Sequence, residues 1–208
     1  MSLHVWLGFV LAAILIAVTP GPGAVASMST GLRHGYWSAL ALILGLQAAI
    51  LLHLTIVGVG LGALLAASET AFGLVKLIGA TYLVWLGVQK WRALPQPQAA
   101  SVLVPDGHRK SLFLQGLLVN LTNPKAIVFI GALVPSFIDT ASAQLPQYLV
   151  IALTLCLTDM LVMSVYALVA SRLGGRVHDP KSVRLQNRLF GGLFVTAGAL
   201  LAISSRPA

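Results

Sequence analysis

The sequence predicts an all-α integral membrane protein whose six transmembrane helices form two inverted sets of three. Three observations predict this class: an apolar composition, six long apolar stretches, and basic residues confined to alternate connections. The chain has 208 residues, of which 58% are hydrophobic and only 9% are charged, and its mean hydropathy is +0.92. A soluble chain of this size needs more charged surface than that.

The apolar stretches supply the helices. Each is long enough for a helix across a hydrocarbon layer of about 30 Å, and together they cover 3–28, 37–66, 71–88, 112–137, 148–170 and 189–203. The first is interpreted as a helix and not as a signal peptide, because its front end, MSLHVW, has no Lys or Arg. The single cysteine, Cys156, lies in the fifth stretch and excludes an intrachain disulfide.

The basic residues predict the orientation of the chain. They cluster in the connections after the first, third and fifth stretches, whereas the other connections contain Glu69 and Asp139 and no Lys or Arg. By the positive-inside rule the basic connections are cytoplasmic, so both termini are expected on the periplasmic side. This distribution also explains the net charge of +8 without nucleic acid as a partner.

The polar, proline-rich segment 93–110 divides a single transmembrane domain, 1–208, into two halves. Helices 1–3 are expected within 1–92, and helices 4–6 within 111–208, with a cytoplasmic linker between them. Because three is odd, any repeat must be inverted. Two similarities between the halves support a repeat. Pro20 and Pro124 interrupt helices 1 and 4 at corresponding places, and the segment KLIGATYLVWLG from Lys76 loosely matches RLFGGLFVTAGA from Arg188.

Prolines and glycines break the first and fourth helices. The segment AVTPGPGAV, 17–25, contains Pro20 and Pro22, and NLTNPKAIVF, 120–129, contains Pro124. Broken backbone survives in a membrane only where protein or a water-lined cavity satisfies it. Paired interruptions in two inverted halves point to the central binding site of a transporter. Plain proline kinks are the alternative interpretation.

The two breaks are expected to restart helices that face a substrate. Asn123 is a good N-cap with Pro124 at the first helical position, and either Thr19 or Gly21 takes the capping place in the first break. Helix N-termini carry free N–H groups and partial positive charge, which suit a carboxylate. The predicted substrate-binding residues are Thr19, Pro20, Gly21, Pro22, Gly23, Asn120, Asn123, Pro124 and Lys125.

Three ionisable residues fall within the apolar stretches around this site. Asp159 lies near the middle of helix 5 and is predicted to couple transport to protons, or else to hold two helices together as a structural acid. His53 could share that proton, or serve in packing. Lys125 is expected to meet a substrate carboxylate or to pair with Asp159; the alternative is a lysine that snorkels to the interface.

Other chemistries find little support in the sequence. The five histidines have no metal-ligand spacing, no hydrolase or phosphate-loop motif occurs, and one cysteine excludes dithiol chemistry. We therefore expect no enzyme, no metal site and no cofactor. Alternatives to an amino-acid exporter are an inorganic cation exporter of similar architecture, for which only Asp159, His53 and Cys156 offer ligands, and a non-transporting membrane subunit.

At these motifs the chain resembles the LysE/RhtB-type amino-acid exporters, which include homoserine-, threonine- and leucine-type efflux proteins. The resemblance rests on TPGP at 19–22, NPKA at 123–126, KLIGATYLVWLG and Asp159, and it covers nearly the whole chain. It implies proton-driven export of amino acids or close derivatives across the bacterial inner membrane. The family usually continues TPGP with Asn, where this chain has Gly23. A homodimer is a further hypothesis.

Overall fold

The computed structural model describes residues 1–67, 69–92 and 108–173, together with 188, 191–192, 195–196, 198–199 and 202. Its regular secondary structure is helical throughout these residues, as expected. The helices are α1 (Leu3–Val18), α2 (Pro22–His34), α3 (Tyr36–Ala67), α4 (Glu69–Arg92), α5 (Arg109–Leu121), α6 (Pro124–Val128) and α7 (Gln144–Leu173). Most of the predicted linker, and most of the predicted sixth helix, lie outside the described residues.

The two predicted helix breaks are present. The chain bends by 55° between α1 and α2 and by 55° between α5 and the segment Pro124–Phe137. Among the described residues, Tyr36–Gly60 and Gln144–Arg172 are long and apolar enough to cross a membrane, and each bent pair can form one further span. The described part therefore contains up to four spans by this measure, and the full six-helix 3+3 arrangement stays a prediction.

The segment after α6 leaves α-helical geometry, which the sequence analysis did not anticipate. Phe129–Leu133 forms a π-helical turn, in which the N–H of Val134 bonds Phe129 O, and Val134–Phe137 forms a 3₁₀ turn. Pro135 has no N–H to donate to the carbonyl of Gly131, so the regular α pattern cannot continue through it. Turns of this kind inside a helix often lie at functional sites.

Long-range hydrogen bonds fix how the helices run. Trp6 Nε1 donates to Thr154 Oγ1 at 3.1 Å, and Tyr166 donates to Val18 O at 2.8 Å. Residue numbers rise together along both helices, so α1 and α7 are parallel. The same relation holds for α3 and α5, where Asn120 bonds Leu46 O and the later residue His53 lies near Leu121. Hence the basic ends of α2, α5 and α7 lie at one end of the bundle.

Glycines allow the closest helix approaches. A Cβ on Gly116 of α5 would overlap Leu42 O of α3, and a Cβ on Gly45 of α3 would overlap Phe113 O of α5. Gly191 meets α4 in the same way, since its Cβ would lie 2.6 Å from Gly87 O. Small residues let membrane helices pack backbone against backbone, where van der Waals contact is the main attraction.

Gly116→Ala is therefore expected to destabilise the protein by about 1–3 kcal/mol, the usual cost of overpacking a tight contact. Gly60→Ala is the matched control, because a Cβ on Gly60 has no atom within 4 Å and alanine favours a helix by about 0.5–1 kcal/mol. Thermal denaturation in detergent measures both. Equal melting temperatures for the two variants would contradict this account of the contact.

Two apolar clusters fill the bundle. The aromatic cluster consists of Phe9, Ala13, Ile50, Leu54, Phe129, Ile130, Val134, Ile151 and Leu155. The alanine-rich cluster consists of Ala24, Ala26, Ala39, Leu42, Ile43, Leu46, Leu112, Met163 and Ala167. The second lies toward the basic end of the bundle and the first toward the other end. Both helix breaks fall at the boundary between the two clusters.

Candidate functional site

A cavity lies between the two apolar clusters, beside both helix breaks. Its walls come from α1, α2, α3, α7 and the helix segments around the second break. Its volume is about 40 Å³, on a scale in which one water molecule needs roughly 10–15 Å³. In this conformation the cavity has room for a few water molecules. Its polar lining residues are Asn120, Asn123, Lys125 and Asp159.

The first break leaves helix carbonyls without their usual partners. In an unbroken helix the N–H of residue 20 would bond Ile16 O and that of residue 22 would bond Val18 O, but both positions are proline. The last regular bond of α1 joins Thr19 N to Leu15 O at 3.3 Å. Gly21 then occupies the capping position of α2, with Pro22 at the first helical position. Of the two expected alternatives, Gly21 is the cap.

Side chains from elsewhere in the fold satisfy these carbonyls. Lys125 Nζ donates to Ile16 O at 2.9 Å and to Thr19 O at 2.8 Å. Tyr166 donates to Val18 O at 2.8 Å. The C-terminus of a helix also carries partial negative charge, which favours a cation such as Lys125. Lys125 thus ties the second break to the first.

Two asparagines hold the second break. Asn123 Oδ1 accepts a hydrogen bond from Lys125 N at 3.1 Å, as predicted for an N-cap. Asn123 Nδ2 donates to Asn120 Oδ1 at 3.1 Å, and Asn120 Nδ2 donates to Leu46 O of α3 at 3.0 Å. Both asparagines are buried. This chain of bonds fixes the broken backbone against α3 and leaves each amide with part of its bonding capacity toward the cavity.

Helix N-termini supply the positive side of the cavity. Gly23 and Ala24 of α2 and Ala126 of α6 line it. The first amide groups of a helix have no acceptor within that helix, and together with the helix dipole they favour an anion. Because Gly23 has no side chain, the first break contributes main chain to the wall of the cavity. Of the predicted residues in that break, only Gly23 lines the cavity.

The negative side of the cavity is the Asp159 carboxyl group. Gln47 Nε2 of α3 donates to Asp159 Oδ2 at 2.8 Å. Within the residues that the structure describes, the buried Gln47 Oε1 has no hydrogen-bond partner. Asp159, which lines the cavity, therefore offers carboxylate oxygens to a cation there. Gln47 was not among the predicted site residues, although a polar residue in an apolar stretch was the signal that could have identified it.

His53 lies apart from this pair. Its ring lies near the main chain of Leu121 at the end of α5, and within the described residues its buried Nδ1 has no hydrogen-bond partner. It does not line the cavity that Asp159 lines. The structure therefore does not bring His53 into that cavity with Asp159. Cys156 packs against the aromatic cluster.

The described ranges contain no cluster of metal-ligating side chains. Within 1–67, 69–92 and 108–173, no group of three or more His, Cys, Asp or Glu side chains is close enough to hold an ion. Cys156 and Asp159 share α7, and His53 is directed to α5.

These features define a multi-pass α-helical membrane protein with a polar cavity between two broken helices. The model of the LysE type translocator family matches residues 14–205. The chain belongs to the LysE type translocator family, as its motifs predicted, and it is a translocator and not an enzyme.

Curated relatives are similar in sequence over nearly the whole chain. An uncharacterized membrane protein of Vibrio cholerae is 44% identical over 97% of this chain and 98% of its own length. The homoserine/homoserine lactone efflux protein of Salmonella typhimurium is 43% identical over 97% of this chain and 98% of its own length. The leucine efflux protein of an Enterobacter species is 30% identical over 93% of each chain. No solved structure matches the chain.

Proposed function

We propose that this protein is a secondary active exporter of small neutral amino acids or close derivatives, coupled to protons, with its substrate site in the cavity between the two helix breaks. The observation that carries the proposal is the polarity of this cavity. Helix N-termini face it from α2 and α6, and Asp159, which accepts a hydrogen bond from Gln47 of α3, faces it from α7. An α-amino acid carries a carboxylate and an ammonium, which match the two sides.

The apolar lining favours an uncharged side chain on the substrate. Leu46, Ile50, Leu155 and Met163 line the cavity, and among the residues that the structure describes Asp159 is its only acidic lining residue. If Asp159 binds the α-ammonium, a cationic side chain would lack a partner and would be costly to bury. The names of the relatives, homoserine/homoserine lactone efflux and leucine efflux, support the same substrate class.

Gly23 affects the room available to that substrate. A Cβ at this position would lie 3.4 Å from both terminal carbons of Leu46. The asparagine that the family usually has here would project between α2 and α3, at the wall of the cavity. Its absence leaves space beside the N-terminus of α2 and leaves recognition there to the main chain.

Proton coupling follows from competition at Asp159. When the cavity opens to the outside, a proton binds the carboxylate, the substrate ammonium loses its partner, and the substrate leaves. When the cavity opens to the cytoplasm, Asp159 releases that proton and binds the next ammonium. Since the carboxylate cannot hold both, a proton moves inward for a substrate that moves outward. The proton or the substrate shifts the protein toward one of the two open conformations only if it binds that conformation more tightly than the other.

The orientation and assembly also remain proposals. The basic ends of α2, α5 and α7 are placed at the cytoplasmic face of the bacterial inner membrane, with both termini in the periplasm. In the part of the chain that the structure describes, Gly191 and Gly198 meet Gly87 and Ala80 of α4 respectively. Residue numbers thus run in opposite directions, as helices 3 and 6 of an inverted repeat require. A homodimer stays a hypothesis.

Counterflow into proteoliposomes tests the function. Purified protein is reconstituted with an internal load of unlabelled homoserine, threonine, leucine, lysine or glutamate, and uptake of the same labelled compound is measured at an acidic and an alkaline pH. We expect uptake of the neutral compounds and none of lysine or glutamate. N-acetylhomoserine, which has no ammonium, should be inactive. Liposomes without protein are the control.

Two outcomes would overturn the proposal. The first is uptake of none of these compounds by protein that elutes as a single folded species. The second is transport of divalent cations in the same liposomes, which would favour the cation exporter.

Homoserine lactone, which has no carboxylate, should bind more weakly than homoserine if the helix N-termini hold that group.

A further inference from the structure

One face of α2 carries small residues from the cavity to the basic end of the bundle. Gly23, Ser27, Thr30 and Gly31 follow at helical spacing, and all four are buried. A Cβ on Gly31 would lie 2.5 Å from Ala167 O, so this face is pressed against the backbone of α7. The face begins at the cavity, since Gly23 lines it. At Gly23 this face meets Leu46 of α3, and at Gly31 it meets Ala167 of α7. We call this face of α2, together with the residues packed on it, the inner seam.

The inner seam contains two buried hydroxyl groups without partners. Ser27 and Thr30 are both 0% exposed. Within the described residues, neither Ser27 Oγ nor Thr30 Oγ1 has a hydrogen-bond partner. A buried polar group without a partner is destabilising, and such groups in native proteins often serve a function or hold a water molecule.

Three other helix threonines among the described residues avoid this situation. Their hydroxyls bond the carbonyl four residues back, as in Thr55 to Leu51 O at 2.8 Å, Thr81 to Leu77 O at 2.8 Å and Thr154 to Val150 O at 2.7 Å. That bond is the common solution for threonine in a membrane helix. Thr30 could donate to Ala26 O in the same way, but this hydrogen bond is not formed. Its hydroxyl is therefore available to a ligand that enters the seam.

A side-chain bond joins α3 to α7 near the inner seam. Tyr36 donates to Ser164 Oγ at 3.3 Å, which is long for a hydroxyl pair. Beyond it lie the last turn of α2, with Arg33 and His34, and the last turn of α7, with Arg172. On the α7 side the seam has small or uncharged side chains, including Met163 and Ala167.

We propose that the inner seam is the route between the cytoplasm and the cavity, and that Ser27 and Thr30 hydrogen-bond the substrate along it when α2 and α7 separate. This inference rests on the proposed function. The ligand is a zwitterionic amino acid, because a hydroxyl both donates to a carboxylate and accepts from an ammonium. Separation of α2 from α7 opens the contact between Gly31 and Ala167 and exposes both hydroxyls to the cytoplasmic face only.

Cysteine accessibility tests the route without knowledge of the substrate. Ser27→Cys and Thr30→Cys are made in a Cys156→Ser background, in inside-out and right-side-out vesicles with a membrane-impermeant cationic methanethiosulfonate. We expect both cysteines to react from the cytoplasmic face only. Ala13→Cys, buried in the aromatic cluster, is the control and should not react from that face. No reaction of either seam cysteine, or reaction from the periplasmic face, overturns the proposal.

Transport kinetics test the hydroxyls themselves. The double variant Ser27→Ala, Thr30→Val is expected to raise KM about tenfold for substrate offered at the cytoplasmic face, with KM at the periplasmic face unchanged. Ser171→Ala is the matched control, because its hydroxyl already bonds Leu168 O. An unchanged cytoplasmic KM would mean that the hydroxyls hold only water, which overturns the proposal.

The two hypotheses fail in different ways. If the proposed function is wrong, wild-type vesicles transport none of the amino acids. If only the route is wrong, wild-type transport is intact while the seam cysteines stay protected.

Discussion

Asp159→Asn is expected to abolish proton-driven export while the protein still inserts and folds. Asparagine has nearly the same shape and can still accept the hydrogen bond from Gln47 Nε2, which is 2.8 Å from Asp159 Oδ2 in the native protein. It can neither carry a negative charge nor exchange a proton at neutral pH. Loss of a hydrogen bond to a charged group costs about 1.5–3 kcal/mol, or roughly a 10- to 150-fold loss of affinity for an ammonium.

Uptake into inside-out vesicles under an imposed pH gradient measures this effect. Asp139→Asn is the matched control, because Asp139 lies in the connection between the 3₁₀ turn and α7, where Ser142 and Ala141 hold its carboxylate. Its removal should leave transport unchanged. If Asp159→Asn exports at the wild-type rate and responds to the pH gradient, Asp159 does not couple protons and is a structural acid.

Lys125→Met is expected to be the most destabilising of these substitutions. It removes the donor that Ile16 O and Thr19 O share, and no backbone N–H can replace it at Ile16 because residue 20 is proline. Each buried carbonyl left without a partner costs about 1–3 kcal/mol. The loss of stability is therefore about 2–6 kcal/mol in total, measured by thermal denaturation in detergent.

Two variants test this explanation. Lys110→Met removes an exposed lysine at the start of α5 and should leave the melting temperature nearly unchanged. Pro20→Ala added to Lys125→Met supplies a backbone N–H to Ile16 O and should restore part of the lost stability. If Lys125→Met has the melting temperature of the wild type, or if the added Pro20→Ala change lowers stability further, the hydrogen bonds of Lys125 do not stabilise the first break.

The sequence predicted the parts of this fold that depend on local chemistry. Hydropathy over about twenty residues identifies a membrane helix, so the apolar stretches became helices. Proline removes an N–H wherever it stands, so the breaks at Pro20, Pro22 and Pro124 were predicted. Asn123 caps its helix as expected because the capping bond spans only two residues.

The tertiary structure decided which remote groups meet. Lys125 was expected at a substrate or at Asp159; it lines the same cavity as Asp159, and its ammonium bonds carbonyls of α1 more than a hundred residues away. His53 was considered beside Asp159, yet it does not line that cavity, and Gln47 of α3 bonds Asp159. No local pattern encodes such pairs.

For this protein the sequence by itself determined the membrane class, the family and the positions where two helices break, because hydropathy and the lost N–H of proline act over a few residues. Only the packing of the helices decided what the breaks do. It set Lys125 on the end of α1, placed the amides of α2 and α6 opposite Asp159, and buried two hydroxyls in the inner seam. Helix rotation and backbone approach at glycine contacts fix these distances, and they depend on residues far apart in the chain.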